Sequence, residues 1–415
     1  MSSPWPRMPF SAAVEVNPRR PIARGTLAPF VDMAALPAET PEVRPSRMRP
    51  VGGGGSRFAN GDTLFARITP CTENGKTGLV DCLPSGEVAT GSTEFIVLGP
   101  CPDLTLPRFV YYLAKNPAFR SFAISRMRGT SGRQRVPANV FDDFEVAVPP
   151  LAEQRKIAAI LSSVDDAIER TQAVIDQVQV VKRGLMRELL TRGLPGRHTR
   201  FKQTEMGEIP EDWCLSRIEQ VGVVDAGRQR SPKAQGTPRP YLRVANVYDD
   251  YIDATDLLSM PFSEPEFARL KLVPGDLLLN EGQSKELVGR CAQYSGEPRN
   301  CCFQNTLIRF QAGKDIAARF AFWVFRHYFY TGVFSAIARQ TTSVAHLGVS
   351  RFAKLKLALP DLEEQAAIVE RLEKLNSREE MEQCWLSQLG IVKSALMSVL
   401  LTGELRVVPE AGGVT

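Results

Sequence analysis

The segment VPPLAEQRKIAAIL at residues 148–161 returns 211 positions later, as LPDLEEQAAIVERL at 359–372. Aligned without gaps, residues 149–194 and 360–405 are identical at 17 of 46 positions. The identical pairs include Pro149/Pro360, Leu151/Leu362, Glu153/Glu364, Gln154/Gln365, Ile157/Ile368, Lys182/Lys393, Leu185/Leu396, Met186/Met397, Leu189/Leu400, Leu190/Leu401 and Thr191/Thr402. Because one offset relates both ends of two long segments, we infer that the chain is a duplicated unit.

Each copy of the repeat is predicted to form one long helix. Proline stands just before each segment, where its missing N–H costs no hydrogen bond, and Gly193 and Gly403 follow the ends. In the first copy, apolar residues alternate spacings of four and three, which is typical of a coiled-coil seam. About 40 residues at 1.5 Å each give a rod of roughly 60 Å. The residues expected to pack the helices, or to meet a partner subunit, are Ile157, Leu161, Leu185, Leu189, Ile368, Leu372, Leu396 and Leu400.

The second helix carries an acidic interruption of its seam at Glu379 and Glu382, which the first helix does not share. Carboxylates are rarely buried without a partner. Two explanations remain open from the sequence: looser packing at this point, or a partner chain that lies between the helices.

The repeat predicts an α+β protein with two similar globular domains. Two long helices, packed as an antiparallel coiled coil, separate these domains, and an internal pseudo-two-fold relates the halves. The linker TRGLPGRHTRFKQTEMGEIPEDW (191–213) is rich in Pro, Gly and charge, as expected of an exposed connection. The expected segments are a first domain at 1–148, a central helix at 149–192, a linker at 193–206, a second domain at 207–358, a distal helix at 359–403 and a tail at 404–415.

Both globular halves mix strand and helix signals in the same order. A Gly-Asp turn precedes an apolar run in GDTLFARI (61–68) and in GDLLLNEG (275–282), which predicts a turn that enters a strand. GSTEFIVLGP (91–100) and QNTLIRFQAG (304–313) are predicted to be later strands. RFVYYLAKNPAFRSFAISRM (108–127) and RFAFWVFRHYFYTGVFSAIA (319–338) are predicted to be helical hairpins whose aromatic residues belong to the core.

Composition and motifs exclude several classes of protein. With 43% apolar and 23% charged residues the chain is of the folded globular type, and no apolar run is long enough to span a bilayer. We therefore expect a cytoplasmic protein without membrane contact. The eight cysteines form no C-x-x-C pair, and three histidines offer little for a zinc site. PCTENGKT (70–77) resembles the end of a P-loop, but Pro70 replaces the required first glycine. No motif indicates a catalytic residue, a bound cofactor or a metal.

Basic residues cluster in corresponding places, although the net charge is only +5. RGTSGRQR (128–135) and RQTTSVAH (339–346) occupy the same repeat position. Arginine in turn-rich segments can grip phosphates or bind guanine through two hydrogen bonds, whereas the alternative is a solvated basic loop. The candidates for DNA contact are Arg128, Thr130, Arg133, Arg135, Arg228, Arg230, Lys233, Arg339, Thr341 and Thr342, followed by Asn74, Lys76, Gln283, Lys285 and Gln304.

The chain resembles the specificity subunits of type I restriction–modification systems. The resemblance is specific in the helices and in the domain opening GEIPEDW (207–213), and weaker in the globular parts. One departure is the start MSSPWPRMPF (1–10), which lacks a GEIPEDW opening for the first domain. The similar segments are VPPLAEQRKIAAILSSVDDAI with KRGLMRELLTRG, LPDLEEQAAIVERL with VKSALMSVLLTGEL, and also GDTLFARITPCTENGKTG, GSTEFIVL and PYLRVANV.

Family membership would imply a non-catalytic subunit with two target-recognition domains. Each domain would read one half of a split, asymmetric sequence in double-stranded DNA, with half-sites about one turn, roughly 34 Å, apart. The long helices would act as a ruler and as the platform for two methyltransferase (M) subunits, with restriction (R) subunits outside. S-adenosylmethionine, ATP and Mg²⁺ would belong to those partners and not to this chain.

Two other hypotheses belong to different classes. The chain could be a structural adaptor whose helices only mediate assembly and whose globular domains bind protein. It could also be a self-contained modification enzyme, although no catalytic motif supports that hypothesis. Binding to DNA with and without a methyltransferase partner distinguishes the first two, and methyl transfer by the chain alone tests the third.

Overall fold

The computed structural model describes residues 5–130, 132–229, 231, 235–340 and 344–407. The chain divides into two compact units, each of which combines one globular domain with part of each long helix. Unit 1 consists of residues 1–175 and 382–415, and unit 2 consists of residues 176–381. In the described ranges, no helix is long and apolar enough to cross a membrane.

In its described residues, the globular domain of unit 1 contains ten strands and three short helices, and α4 follows it. Its strands are β1 (Arg7–Pro9), β2 (Val14–Val16), β3 (Leu27–Val31), β4 (Arg47–Pro50), β5 (Ser56–Ala59), β6 (Thr63–Ala66), β7 (Thr77–Leu79), β8 (Val88–Gly91), β9 (Phe95–Pro100) and β10 (Glu145–Ala147). Its helices are α1 (Phe10–Ala13), α2 (Pro107–Lys115), α3 (Pro117–Ser125) and a 3-10 turn at Ala138–Phe141, before α4 (Leu151–Arg192).

Two four-stranded sheets form the centre of this domain. One is antiparallel, in the order β2-β9-β6-β7, and the other has the order β4-β3-β8-β5 with β3 and β8 parallel. Every residue of β6 is buried, because the sheet is covered on both faces, which explains the continuous apolar run in the sequence. The predicted strand at 61–68 is therefore confirmed as β6. The predicted helical hairpin at 108–127 is α2 and α3.

The globular domain of unit 2 repeats this plan with additions. Its strands are β11 (Phe201–Thr204), β12 (Gly207–Pro210), β13 (Cys214–Arg217), β14 (Gly222–Ala226), β15 (Thr237–Leu242), β16 (Leu258–Phe262), β17 (Leu277–Asn280), β18 (Gly282–Gln283), β19 (Cys291–Gln293), β20 (Cys302–Phe303), β21 (Leu307–Ala312), β22 (Arg339–Gln340), β23 (Ala345–His346) and β24 (Lys356–Leu359). Its helices are α5 (Ile218–Val221), a 3-10 turn at Val244–Asn246, α6 (Glu264–Leu270), α7 (Ala318–Tyr330), α8 (Val333–Ile337) and α9 (Val349–Lys354), before α10 (Leu362–Leu400).

Sheet topology confirms the duplication in the globular parts. The antiparallel sheet β14-β21-β17-β19 has the same order as β2-β9-β6-β7. The parallel pair β15–β20 corresponds to β3–β8, with Tyr241 opposite Cys302 where Phe30 lies opposite Thr90. The predicted strands at 275–282 and 304–313 are β17 and β21. The end of the expected linker is itself ordered, because β11 pairs with β12.

Within unit 2, α4 and α10 run antiparallel. Gln179 Nε2 on α4 donates to Glu379 Oε1 on α10 at 2.8 Å. Three residues further along α4, Lys182 Nζ donates at 2.9 Å to Oδ1 of Asn376, which lies three residues before Glu379 on α10. In unit 1, Lys393 Nζ pairs with Asp165 Oδ1 at 2.5 Å. Lys393 and Asp165 are the repeat counterparts of Lys182 and Asn376. Each unit therefore holds one buried lysine between its two helix segments at the same repeat position.

The acidic interruption at Glu379 has a local explanation that neither sequence hypothesis anticipated. Its carboxylate forms an ion pair with Lys182, and the two side chains are 10% and 6% exposed. Glu379 is thus neutralised inside the helix pair of its own unit, so this position requires neither loose packing nor a partner chain. Glu382, in unit 1, is half-buried.

Trp5 supplies the domain opening that the sequence comparison did not find. Trp5 Nε1 donates to Glu153 Oε2 at 3.1 Å, as Trp213 Nε1 donates to Glu364 Oε2 at 3.0 Å. β1 pairs with β10 as β13 pairs with β24. Trp5 and Trp213 are 208 residues apart, whereas the two glutamates are 211 apart, so a gap-free alignment misses the match. The first domain lacks the GEIPEDW sequence, but Trp5 makes the contact that Trp213 of that motif makes in the second.

The predicted seam residues pack inside the units. Ile157 and Leu161 lie with Leu396 and Leu400 in the core of unit 1. Leu185, Leu189, Ile368 and Leu372 lie in the core of unit 2. Most are fully buried, and Leu185 and Leu396 are half-buried. These side chains serve helix and domain packing within the chain and present little surface to another subunit.

Candidate nucleic-acid interface

In unit 1, the first basic cluster forms a narrow hairpin on the domain surface. The backbones of Arg128 and Arg135 exchange hydrogen bonds of 2.9 and 2.8 Å, and Arg135 also bridges to Ile68, just beyond β6. Arg128, Thr130, Arg133 and Arg135 are all exposed. The structure thus brings together the four residues predicted from RGTSGRQR.

Arg135 differs from the other three because a carboxylate holds it. Its Nε lies 3.0 and 2.9 Å from the two oxygens of Glu94, and its Nη2 lies 2.7 Å from Oε1. These hydrogen bonds from Arg135 lower the pKa of Glu94, so the carboxylate stays ionised at neutral pH. Glu94 was not among the predicted residues, because nothing in its sequence neighbourhood indicates its partner 41 positions away.

Unit 2 carries the corresponding hairpin. Arg339 lies opposite His346 in the pairing of β22 with β23, and β23 pairs in turn with β18, which contains Gln283. Arg339 is exposed, and the side chain of His346 is 44% exposed. Thr341 and Thr342, which were predicted to contact DNA, lie outside the described residues. Arg230 and Lys233 also lie outside them.

Several other predicted residues have structural roles. Arg228 pairs with Glu266 at 3.1 Å, also donates to the carbonyl oxygen of Pro261, and lies over the ring of Phe262. Lys76 Nζ donates to the carbonyl oxygen of Met33 at 2.8 Å. Arg228 and Lys76 are therefore poorly placed to read DNA as they stand.

Of the remaining candidates, two are exposed and two are half-buried. Gln304 is half-buried, and its backbone N–H donates to the carbonyl oxygen of Leu242. Asn74 and Lys285 are exposed, and Gln283 is half-buried. Only Gln283 adjoins a hairpin, so the structure groups it with Arg339 and leaves Asn74, Lys285 and Gln304 outside the hairpins.

A cavity of about 450 Å³ in unit 1 gathers arginines that the sequence analysis did not connect. Arg19, Arg57 and Arg67 line it, with Arg20, whose guanidinium pairs with Asp62 at 2.6 Å. Among the described residues, no carboxylate lies within ion-pair distance of the first three. Arginines from three separate strands and loops meet here, so only the fold reveals the cluster.

A second cavity, of about 410 Å³, adjoins the first and shares Gly55 and Thr93 with it. It is lined by Arg47 and Arg49 of β4, which lie over the ring of Phe30 at 5.5 and 4.6 Å. Every residue of β4 is exposed. The R-x-R spacing of a strand places both side chains on one face, and this signal was available in the sequence.

The described parts of the chain contain no cluster of three or more His, Cys, Asp or Glu residues that could hold a metal ion. The eight cysteines are free thiols. Burial raises the pKa of Cys301 to about 12 and that of Cys302 to about 11, which keeps both thiols protonated and unreactive. The basic hairpins and the arginine-lined cavities remain as the chemically distinctive surfaces.

Comparisons with known proteins find similarity to type I restriction–modification specificity subunits. Residues 57–180 match the family model described as type I restriction modification DNA specificity domain. The chain is 26% identical over 304 residues to the type I restriction enzyme MjaVIII specificity subunit of Methanocaldococcus jannaschii, covering 69% of this chain and 68% of that one. It is 26% identical over 314 residues to the EcoKI specificity subunit of Escherichia coli, covering 72% and 65%.

Solved structures share the fold. A chain from work on the complex assembly and conformational transition of the type I R-M system superposes with a TM-score of 0.61 at 16% identity, covering 97% of this chain and 99% of that one. The type I restriction-modification S subunit from M. genitalium superposes with a TM-score of 0.53 at 12% identity, covering 96% of both chains. At these identities the likeness concerns the fold.

Proposed function

Because the chain belongs to the family of type I restriction–modification specificity subunits, we propose that it selects the DNA sequence on which such a complex acts. Each globular domain is a target-recognition domain that reads one half of a bipartite, asymmetric target in double-stranded DNA. The chain recruits two methyltransferase subunits, and restriction subunits join the complex.

The observation that carries the proposal is the duplicated hairpin. Both domains present a short surface hairpin at the same repeat position. Among the described residues, Arg128, Arg133 and Arg135 are exposed on the hairpin of unit 1, and Arg339 is exposed on that of unit 2. In unit 1 the same domain also carries arginine-lined cavities that suit a phosphate backbone. The two domains share one fold but carry different side chains on their hairpins. This difference suits a DNA target whose two halves differ in sequence.

Chemistry is assigned to the partner subunits. We propose that S-adenosylmethionine, ATP and Mg²⁺ bind to those subunits and that this chain has no catalytic residue. The family's role in DNA specificity supports this division of labour.

Replacing Arg133 with alanine tests DNA recognition. Arg133 is exposed at the hairpin of unit 1, and we expect the change to weaken binding to the cognate target by about 1–3 kcal/mol if the guanidinium reads a base. If it contacts a phosphate, the slope of log K against log salt falls by about one unit. The measurement is fluorescence anisotropy with a DNA duplex and the complex of this chain with its methyltransferase.

The matched control for Arg133 is Arg170→Ala, because Arg170 is exposed on α4, outside the hairpin. This variant should bind DNA like the wild type. Equal affinity and equal salt dependence for wild type and Arg133→Ala would remove Arg133 from the interface. A wild-type complex that ignores DNA would favour the structural adaptor instead.

The surface that we assign to the methyltransferase partners is an exposed apolar pair that the repeat duplicates. Val180 and Val181 on α4 are 64% and 45% exposed, and their repeat counterparts on α10, Ile391 and Val392, are 68% and 47% exposed. Large apolar side chains at such exposure are typical of interaction sites when they recur in a pattern. Two equivalent sites on one chain fit two copies of one partner.

Introducing charge at these pairs is expected to remove one partner at a time. The double change Val180→Asp and Val181→Asp should cost about 1.5–3 kcal/mol of binding at one site, roughly 10- to 150-fold in affinity. The same change at Ile391 and Val392 should affect the other site. Native mass spectrometry of the reconstituted complex should then show one methyltransferase subunit per chain for either double variant, and none for the quadruple variant.

Gln177→Asp and Gln388→Asp provide matched controls, because these glutamines are exposed at equivalent repeat positions one turn away from the pairs on the same helix. They should leave two methyltransferase subunits bound. Retention of both subunits by the quadruple variant would show that the partners dock elsewhere.

A further inference from the structure

Arg135 in unit 1 and His346 in unit 2 occupy one structural position. Each is the last residue of its hairpin, and each pairs with the segment that follows the central strand of its sheet: Arg135 bridges to Ile68 after β6, and His346 pairs with Gly282 after β17. Each also pairs across the hairpin, with Arg128 and Arg339 respectively. The two positions are 211 residues apart, which is the offset of the repeat.

A carboxylate holds the side chain in both domains. In unit 1, Glu94 binds the Nε and Nη2 edge of the Arg135 guanidinium, so the Nη1 edge stays available in a side chain that is 44% exposed. In unit 2, Glu281 Oε2 lies 3.0 Å from His346 Nδ1, and the Nε2 atom has no hydrogen bond among the described residues. Each pair fixes one edge of the cationic or imidazole group and leaves the opposite edge for a ligand.

The two carboxylates come from different segments: Glu94 lies in the turn before β9, whereas Glu281 lies between β17 and β18. Arg67 corresponds to Glu281 because the same backbone hydrogen bonds flank both: Arg67 N–H donates to Glu94 and Glu281 N–H to Thr306. Thr306 of unit 2 is therefore the structural equivalent of Glu94 of unit 1. Arg67 of unit 1 is the equivalent of Glu281 of unit 2.

The carboxylate thus lies on a different segment in each domain, and in both it binds and orients the residue at the end of the hairpin. This indicates that the orientation of Arg135 and His346 matters to both domains. Within the described part of the chain, the edge opposite the carboxylate remains free for a ligand in both domains.

We propose that Arg135 and His346 are specificity-determining residues, each of which reads a base edge in its own half-site, with Glu94 and Glu281 as their positioning residues. The inference rests on the proposed DNA recognition and assigns it to one position in each domain. Guanidinium can donate two hydrogen bonds to N7 and O6 of guanine in the major groove. The imidazole of His346 offers only Nε2, so it can form one hydrogen bond to a base. We therefore expect His346 to discriminate between bases less strongly than Arg135 does.

Binding-site selection from randomised duplex DNA tests the assignment in the complex with methyltransferase subunits. For Arg135→Ala, we expect preference for guanine at one position of one half-site to fall by about 5- to 100-fold, with the other half-site unchanged. His346→Ala should relax one position of the other half-site only, and His346→Arg should shift that position toward guanine. Arg135→Lys keeps the charge but loses the paired donors, so it should relax the same position as Arg135→Ala.

Glu94→Gln and Glu281→Gln test the positioning role. Both should reduce preference at the same base positions as the variants of Arg135 and His346, and Glu94→Asp should restore part of it. A purely structural role would lower the unfolding temperature and the affinity for all sequences without changing the selected base. The unfolding temperature of each complex is therefore measured beside its selected sequence.

The failures of the two proposals are distinguishable. A wild-type complex that selects no bipartite sequence overturns the proposed function together with this assignment. A wild-type complex that selects a bipartite sequence, combined with Arg135→Ala and His346→Ala complexes that select the same sequence with uniformly lower affinity, overturns only the assignment and makes these residues backbone contacts.

Discussion

Replacing Glu364 with alanine is expected to lower the free energy of unfolding of unit 2 by about 3–5 kcal/mol. The carboxylate is 1% exposed and accepts hydrogen bonds from Trp213 Nε1 at 3.0 Å and from Leu194 N–H at 3.0 Å. His198 Nε2 lies 2.8 Å from the same carboxylate. Its removal leaves several buried polar groups without a partner, which costs more than the loss of one contact. Calorimetry of the purified chain measures the effect as a lower unfolding temperature.

Glu363→Ala is the matched control, since Glu363 is the exposed neighbour on the same helix. It should change the free energy of unfolding by no more than about 0.5 kcal/mol. If Glu364→Ala unfolded at the temperature of Glu363→Ala, the cluster around Trp213 would contribute nothing to stability.

The repeat counterpart Glu153→Ala should destabilise unit 1 for the same reason. Glu153 accepts from Trp5, from Arg406 and from the N–H of Val407. Although burial opposes it, hydrogen bonding from Arg406 and Trp5 lowers the pKa of Glu153. A carboxyl group with a lowered pKa stabilises the fold above its unfolded pKa of about 4.3 and loses that contribution as pH falls through the lowered value.

Replacing Asp165 with alanine is expected to cost unit 1 about 3–5 kcal/mol. The Asp165 side chain is 3% exposed, pairs with Lys393 and accepts a 2.6 Å hydrogen bond from Tyr112. Burial, reinforced by the Asp165 charge, raises the pKa of Tyr112, so its hydroxyl remains a donor at neutral pH. Without the carboxylate, the Lys393 ammonium loses its counter-charge and, among the described residues, keeps only the carbonyl oxygen of Glu39 at 3.4 Å. The Tyr112 hydroxyl loses its 2.6 Å acceptor and, in the same described ranges, keeps only Ser162 Oγ at 3.1 Å. Denaturant unfolding followed by tryptophan fluorescence and circular dichroism measures the loss.

Asp166→Ala is the control for this change, because Asp166 is the adjacent exposed carboxylate on α4. The double variant Asp165→Ala with Lys393→Met should recover part of the lost stability, since it removes the uncompensated charge. Equal stability of Asp165→Ala and Asp166→Ala would contradict the assignment of a buried ion pair.

Much of the architecture could be predicted from the sequence, because repetition and periodicity are properties of the chain itself. The long helices, the strands that follow the Gly-Asp turns and the helical hairpins all have local signals. The partner of Glu379 could not be predicted, since Lys182 lies on another helix and only the antiparallel register brings the two together. Trp5 was missed for a simpler reason, because a three-residue gap breaks the alignment near the start of the domain.

The candidate interface divides in the same way. The hairpin arginines were predictable, because RGTSGRQR is a continuous basic turn. Glu94 and Glu281 were not, since each meets its hairpin through the sheet, and the arginines of the unit 1 cavity converge from distant segments. Arg228 shows the opposite error: it lies in a basic segment, but Glu266 and Pro261 bind its guanidinium within the domain.

The division of the chain into units has a consequence for folding. Unit 2 is one continuous stretch of sequence, whereas unit 1 needs residues 382–415 to join a domain that ends at residue 175. Contacts between segments so far apart in sequence carry a loop-closure cost and slow the step that forms them. During synthesis, unit 2 can complete its core while the last helical turns of unit 1 are still missing. We therefore expect unit 1 to be the late-folding half, and the buried face of its first helix segment to stay uncovered until α10 is finished.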